Sequence, residues 1–188
     1  MLKRLQAKIK KFNRRLPLND YLIPLIGDKK EVKIADLGSG PLSTIGQYLD
    51  GVKVEVYPSD RYSFKDFWKR YKTTPLFQIE IQNMEKLTYE DSFFDIVHCV
   101  NALDHTVNAL DAVKEMIRVC KIGGWVYIDC ALYQQTEQGH KHYWDAKEDG
   151  TFANQTNEFN LKDFGFKIQF IDNKGERQYN HIIATLQK

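Results

Sequence analysis

Apolar residues recur along this chain in two rhythms. Leu2, Leu5, Ile9, Phe12 and Leu16 fall near helical spacing, which predicts an amphipathic helix over 2–16 with a basic face, ended by Pro17. A second short segment, 19–26, closes at Gly27. The rhythm then shortens to that of strands, at 32–36 and again over 52–57, where apolar and polar residues alternate. Between these strands, 42–49 reads as a helix that ends near Asp50-Gly51. An aromatic-rich stretch, 64–71, predicts a short helix, and 77–81 a third strand. The run 94–100 is apolar along most of its length, as a strand buried on both faces should be. A helix over 106–120 follows, with Asp104 as its cap, Val107, Leu110, Val113 and Ile117 as its inner face, and Gly123-Gly124 as its stop. A fifth strand spans 125–130, a helix 157–164 closes at Gly165, and strands 166–172 and 179–187 flank the turn 173–176.

Strands alternating with helices through the fifth strand require a parallel sheet with helices on both faces. The last two strands, joined by a short turn, should form an antiparallel hairpin. The expected fold is therefore α/β: a Rossmann-like, doubly wound, mostly parallel seven-stranded sheet. With 188 residues the chain fits one domain, an N-terminal helical segment over 1–30 and a core over 31–188.

Composition narrows the class. With 43% hydrophobic and 28% charged residues, the chain is neither disordered nor membrane-spanning in character. Residues 1–16 lack the apolar middle of a signal peptide. The three cysteines, Cys99, Cys120 and Cys130, have no metal-ligand spacing and suit a reducing cytoplasm. Seven of the 27 basic residues lie in 1–16 and no acid does, which leaves 20 bases against 25 acids in the rest. That mildly acidic body argues against nucleic acid as a partner, while the basic helix could touch an anionic membrane surface or an acidic protein.

The chemistry concentrates after the first strand. There Asp36 precedes the turn Gly38-Ser39-Gly40, whose glycines let backbone approach a ligand closely. Asp60 ends the second strand, 20 residues beyond Gly40, where a carboxylate can accept hydrogen bonds from a ribose.

Together these features resemble the class I S-adenosylmethionine-dependent methyltransferases, particularly their small-molecule branch, over about residues 30–130. Ile34-Ala35-Asp36-Leu37-Gly38-Ser39-Gly40 is similar to the first motif of that family, and Asp60 to the acid of its second strand. The stretch 82–87 resembles the loop bordering the adenine, 92–97 with 101–105 the fourth-strand signature, and 118–124 the approach to strand five. The third glycine of the first motif is absent, Ile122 replaces a proline, and Asn83 stands where an aspartate is common. The resemblance implies S-adenosyl-L-methionine as cofactor, held by Asp36, Gly38, Ser39, Gly40, Asp60, Arg61, Asn83, Met84, Asn101 and Ala102.

In such an enzyme the protein mainly positions the acceptor and excludes water. A hydroxyl acceptor would need a base, and His105, His140 and His142 are the candidates, whereas His98 reads as structural. If the segment carrying His140 and His142 is extended, both rings point the same way and one should reach the cofactor's cavity. Some relatives hold a divalent ion through a Glu-x-x-Glu-His stretch; residues 101–105 lack its first acid, so no metal is expected. The acceptor expected is a small molecule, with a sugar or lipid-linked precursor suggested by Tyr133, Tyr143, Trp144 and Phe152. Two other readings stay open: a non-catalytic binding protein of the same fold, and a nicotinamide-dependent oxidoreductase. The oxidoreductase lacks its full Gly-x-Gly-x-x-Gly, since position 43 is serine.

Overall fold

The computed structural model describes residues 9, 14–72, 75–132, 142–173 and 179–188. Most of the expected N-terminal helix lies outside these residues; Ile9 is helical and buried.

Seven strands form the main sheet: β1 (Glu31–Leu37), β2 (Lys53–Asp60), β3 (Glu80–Ile81), β4 (Phe94–Val100), β5 (Cys120–Ala131), β9 (Lys167–Ile171) and β10 (His181–Gln187). Their order is β3-β2-β1-β4-β5-β10-β9. The first five pair in parallel, and β10 runs antiparallel between β5 and β9. The expected C-terminal hairpin is present, and β10 inserts inside the sheet. A second, three-stranded antiparallel sheet holds β6 (Asp145–Ala146), β7 (Thr151–Ala153) and β8 (Glu158–Asn160).

Helices α1 (Ile23–Ile26), α2 (Lys65–Arg70) and α3 (Ala109–Val119) are short to moderate. On one face of the sheet, α3 buries Ala109, Ala112, Val113, Met116 and Val119 against Phe94, Val97 and Ile128. On the other, Leu18, Leu22 and Ile26 pack on Val32, Ile34 and Ile96. Phe94, Ile34, Ile96 and Ile128 are wholly buried, each worth roughly 1.5–3 kcal/mol relative to exposure.

Several elements differ from the sequence reading. No helix forms over 42–49. Those amides and carbonyls pair instead with the segment before α1: Gln47 and Tyr48 N–H donate to Leu16 O, Leu18 N–H donates to Tyr48 O, and Asn19 N–H donates to Ile45 O. Gly46 sits at φ +77°, and a Cβ there would lie 1.9 Å from Pro17 O. That approach and that dihedral exclude a helix. The helix expected over 157–164 is instead β8 and a 3-10 turn, Leu161–Phe164, closed as expected by Gly165 at φ +88°. The Asn154 side chain accepts from the N–H groups of Thr156 and Asn157, folding 154–157 into a hairpin turn that outcompetes helix.

The cap of α3 is Asn108, whose side chain accepts from Asp111 N–H. Asp104 lies upstream in a buried 3-10 turn, Leu103–His105. Starting at 109 rotates the inner face, so Val107 is exposed while Ala109 and Met116 are buried. Gly123-Gly124 lies inside β5 rather than ending α3, and β3 is only two residues long. Among the described residues no helix is long and apolar enough to cross a membrane.

Candidate active site

Strand order reverses at β1, between β2 and β4, and there an open α/β sheet forms a crevice beyond its carboxyl ends. A cavity of about 770 Å³ occupies that place. It is large enough for a nucleoside-sized ligand with room for a second group. Its walls are the segments that follow β1, β2, β3 and β4.

Eight of the ten expected cofactor residues line it: Gly38, Gly40, Asp60, Arg61, Asn83, Met84, Asn101 and Ala102. Gly38, at φ +71°, lies against the β4 loop so closely that a Cβ would meet Ala102 Cβ at 2.3 Å. Gly40, at φ +63°, has no heavy atom within 4 Å of such a Cβ, so its face is open. Asp60 Oδ2 accepts from Gly40 N–H at 3.0 Å, and Oδ1 accepts from Tyr62 N–H at 3.0 Å. The carboxylate therefore fixes the glycine turn, and each oxygen keeps a lone pair for a ligand hydroxyl. Ser39 and Asp36 are outside the lining. Asp36, 4% exposed, lies across the register from His98. Its Oδ1 meets His98 Nδ1 at 2.9 Å, its Oδ2 accepts from Ser43 Oγ at 2.6 Å, and His98 Nε2 meets Tyr21 OH at 2.9 Å. His98 is thus buried in a structural network, as the sequence suggests.

The far wall is braced by polar bridges. Asn83 Oδ1 accepts from Glu85 N–H, and Glu85 Oε1 from Val107 N–H at 2.7 Å. Arg118 of α3 donates to Leu87 O, Tyr89 O, Asp91 and both oxygens of Glu115. Hydrogen bonds from Arg118, then from Leu87 N–H, hold the Glu115 carboxyl below its ordinary range. Asn101 adopts φ +48°, donates its N–H to Asp129 O and accepts from Ala131 N–H, pinning the end of β4 to β5. Asparagine tolerates that left-handed geometry better than most residues.

The expected catalytic histidines divide. His105 lines the cavity. His142 stands beside it, ring centroids 4.3 Å apart, with its Nδ1 on Asp104 Oδ2 at 2.5 Å. His140 lies outside the described residues. The segment bearing His142 is clipped to the Leu103–His105 turn, since the N–H groups of Tyr143 and Trp144 both donate to Asp104 O. Asp104, 3% exposed, is the residue that sequence reasoning misplaced. Its Oδ1 has no hydrogen-bond partner among the described residues. The Cys130 thiol is near enough for that charge, after burial itself, to raise its pKa, but makes no hydrogen bond to Oδ1 of normal geometry.

Sheet order, crevice and lining define a cofactor-binding α/β protein of Rossmann-like architecture. A family model described as "Methyltransferase domain" matches residues 35–128, and the chain belongs to that family. No curated protein matches it. Among solved structures, a SAM-dependent methyltransferase from Methanosarcina mazei is similar at 15% identity, covering 92% of this chain and 99% of that one, with a TM-score of 0.56. One from Aquifex aeolicus is 16% identical, covering 96% and 97%, with a TM-score of 0.50. The citrinin polyketide synthase CMeT domain is 17% identical over 84% of this chain, with a TM-score of 0.56. This chain spans only 47% of the length of that last structure. These likenesses establish the fold; the family match establishes a methyltransferase.

Proposed function

We propose that the protein transfers the methyl group of S-adenosyl-L-methionine to a small-molecule acceptor, at a hydroxyl oxygen. One observation carries the reading: a single cavity has Gly38, Gly40 and Asp60 on its walls together with the imidazole of His105. The residues fit the cofactor, because the open face of Gly40 beside Asp60 leaves space that any side chain would fill. Asp60 would take the ribose hydroxyls, and Met84 with Asn83 would border the adenine. When bound, the cofactor supplies an electrophilic methyl group on a sulfonium. The Arg118 and Glu85 bridges keep the wall rigid, which holds acceptor and cofactor aligned. His105 is the group placed to accept the proton of an acceptor hydroxyl, and Asp104 orients His142 behind it. Free, buried cysteines support a cytoplasmic setting.

The test is methyl transfer from isotopically labelled S-adenosyl-L-methionine to a panel of small hydroxyl, amine and carbon acceptors. Labelled ether products that fall roughly 100-fold in His105→Ala support the reading. Label transferred only to nitrogen or carbon would refute the hydroxyl assignment.

A further inference from the structure

We propose that the Tyr21 hydroxyl, backed by His98 and Asp36, is a second proton acceptor for the hydroxyl to be methylated, on the α1 face of the sheet. Period-two alternation puts Asp36 and His98 on the same face as Ile34 and Ile96, beneath the segment that carries Tyr21. Two hydrogen bonds join them in series: Asp36 Oδ1 to His98 Nδ1 at 2.9 Å, and His98 Nε2 to Tyr21 OH at 2.9 Å. Asp36 is 4% exposed and His98 3%, whereas Tyr21 is 41% exposed. A buried carboxylate thus stands behind a buried imidazole, and the imidazole behind a hydroxyl that solvent reaches. That is the order of groups in an acyl-transfer triad, with a phenol in place of the serine.

The hydrogen bonds fix which way the protons point. An ionised Asp36 can only accept, so His98 Nδ1 carries the ring proton and Nε2 offers a lone pair. Tyr21 therefore donates its O–H to Nε2. Of the two lone pairs on the phenol oxygen, one accepts from Asn19 Nδ2–H at 3.1 Å and the other is open to a ligand. Stacking holds the Tyr21 ring in place, with centroids 5.0 Å from Tyr127 and 5.9 Å from His98. Burial, then the charges of Asp36 and Asp129, raise the Tyr21 pKa. At neutral pH the phenol is un-ionised, and it takes up a proton only by passing its own to His98. Beside Tyr21 on β5 stand Tyr127 and Asp129, the latter engaged by His181 of β10.

The relay adjoins the cofactor wall. His98 precedes Asn101 of the cavity lining by three residues, which puts their backbones at most about 11 Å apart. Asp36 Oδ2 accepts from Ser43, which follows Gly40 and Pro41 of the same lining. This rests on reading the cavity as a methyl-transfer site, and it adds a route beside the one through His105. A hydroxyl that meets the methyl group from the α1 face gives its proton to the Tyr21 oxygen as the phenol proton passes to His98 Nε2. Its oxygen bonds to the methyl carbon, the carbon–sulfur bond breaks, and that electron pair stays on sulfur. His98 then passes its proton back, and Tyr21 releases one to water.

The probe is 4-nitrophenyl acetate, added to the full chain without cofactor, with acetylated tyrosines mapped by peptide mass spectrometry. The phenol oxygen bonds to the acyl carbon, nitrophenolate leaves with the electron pair, and the phenol proton goes to His98. Tyr62, more exposed at 60%, is the internal control. Tyr21 should acetylate at least tenfold faster than Tyr62 at pH 7, since a positioned base gives about 100- to 10,000-fold. Its rate should level off below pH 9, where an unassisted phenol still climbs about tenfold per pH unit. His98→Gln should return Tyr21 to the behaviour of Tyr62. Tyr21 reacting no faster than Tyr62, or climbing with pH as Tyr62 does, overturns the proposal on wild type alone, should His98→Gln fail to fold. In the labelled-cofactor assay, Tyr21→Phe should cut methyl transfer to the hydroxyl acceptor roughly 100-fold with cofactor affinity unchanged; transfer at the wild-type rate also overturns it. Loss of cofactor binding by a wild type whose Tyr21 stays reactive sinks the methyl-transfer reading and leaves the activated phenol standing.

Discussion

Replacing Gly38 by alanine isolates the contact on which the glycine turn depends. Two costs add at that position. A φ of +71° strains any residue with a Cβ, by about 1–2 kcal/mol. The new methyl would also lie 2.3 Å from Ala102 Cβ and 3.3 Å from Met84 Cε, and overpacking of this kind costs about 1–3 kcal/mol. The sum is about 2–5 kcal/mol, which at roughly 2–4 °C per kcal/mol for a chain of this length lowers Tm by about 4–20 °C. Gly40→Ala is the control, because it carries the dihedral strain with nothing within 4 Å. Its Tm should fall by only about 2–8 °C, while its methyl intrudes on the cavity and weakens cofactor binding. Adding Ala102→Gly to Gly38→Ala removes the facing methyl, so a double-mutant cycle should show about 1–3 kcal/mol of compensating coupling. Thermal melts followed by circular dichroism measure wild type, Gly38→Ala, Gly40→Ala, Ala102→Gly and the Gly38→Ala/Ala102→Gly double variant. Equal losses for Gly38→Ala and Gly40→Ala, with no coupling to Ala102→Gly, would refute the packing argument.

Asp60→Asn should weaken S-adenosyl-L-methionine binding roughly 10- to 100-fold, the worth of a charged hydrogen bond, as read by calorimetry; unchanged affinity would remove Asp60 from the site. Arg118→Ala should destabilise the fold by about 1–3 kcal/mol, because it strips donors from the Leu87 and Tyr89 carbonyls. The Glu115 carboxyl, held low by Arg118, gives stability that is present above its ordinary value of 4.5 and is lost as pH falls through the depressed folded value. Acid melts of Arg118→Ala should therefore show a flatter loss in that window than wild type. Burial raises the thiols of Cys99 and Cys130, and raises Cys120 to about 11, so a thiolate-selective reagent at pH 8 should react slowly with native protein and fully after denaturation. Prompt labelling of the native protein would contradict their burial.

The sheet was legible because its strands announce themselves locally. Val32-Lys33-Ile34-Ala35 and the apolar run of β4 need no distant partner to be recognised, and Asp60 follows from its spacing to Gly40. The failures share a cause. Residues 42–49 have helical character, but their hydrogen-bonding groups are claimed by 16–19, a pairing visible only in three dimensions. Asp104 looks like a helix cap, since an acid before an apolar helical stretch usually is one, whereas Asn108 takes that role from a position four residues on. Its partner His142 lies 38 residues away beyond β5, so no local spacing could join them. Asp36 likewise reads as a ligand-facing acid, yet the parallel register places it opposite His98 and turns it to a structural duty. The one available hint was a histidine in the middle of the largely apolar β4, which asks for a buried partner.

Everything proposed for this protein requires that the cavity beyond β1 and β4 hold S-adenosyl-L-methionine. Isothermal titration of the full chain with that molecule and with its demethylated product, S-adenosylhomocysteine, tests it most directly. One site per chain is expected for each, weakened in Asp60→Asn and in Gly40→Ala. A folded wild-type protein that binds neither compound would contradict it.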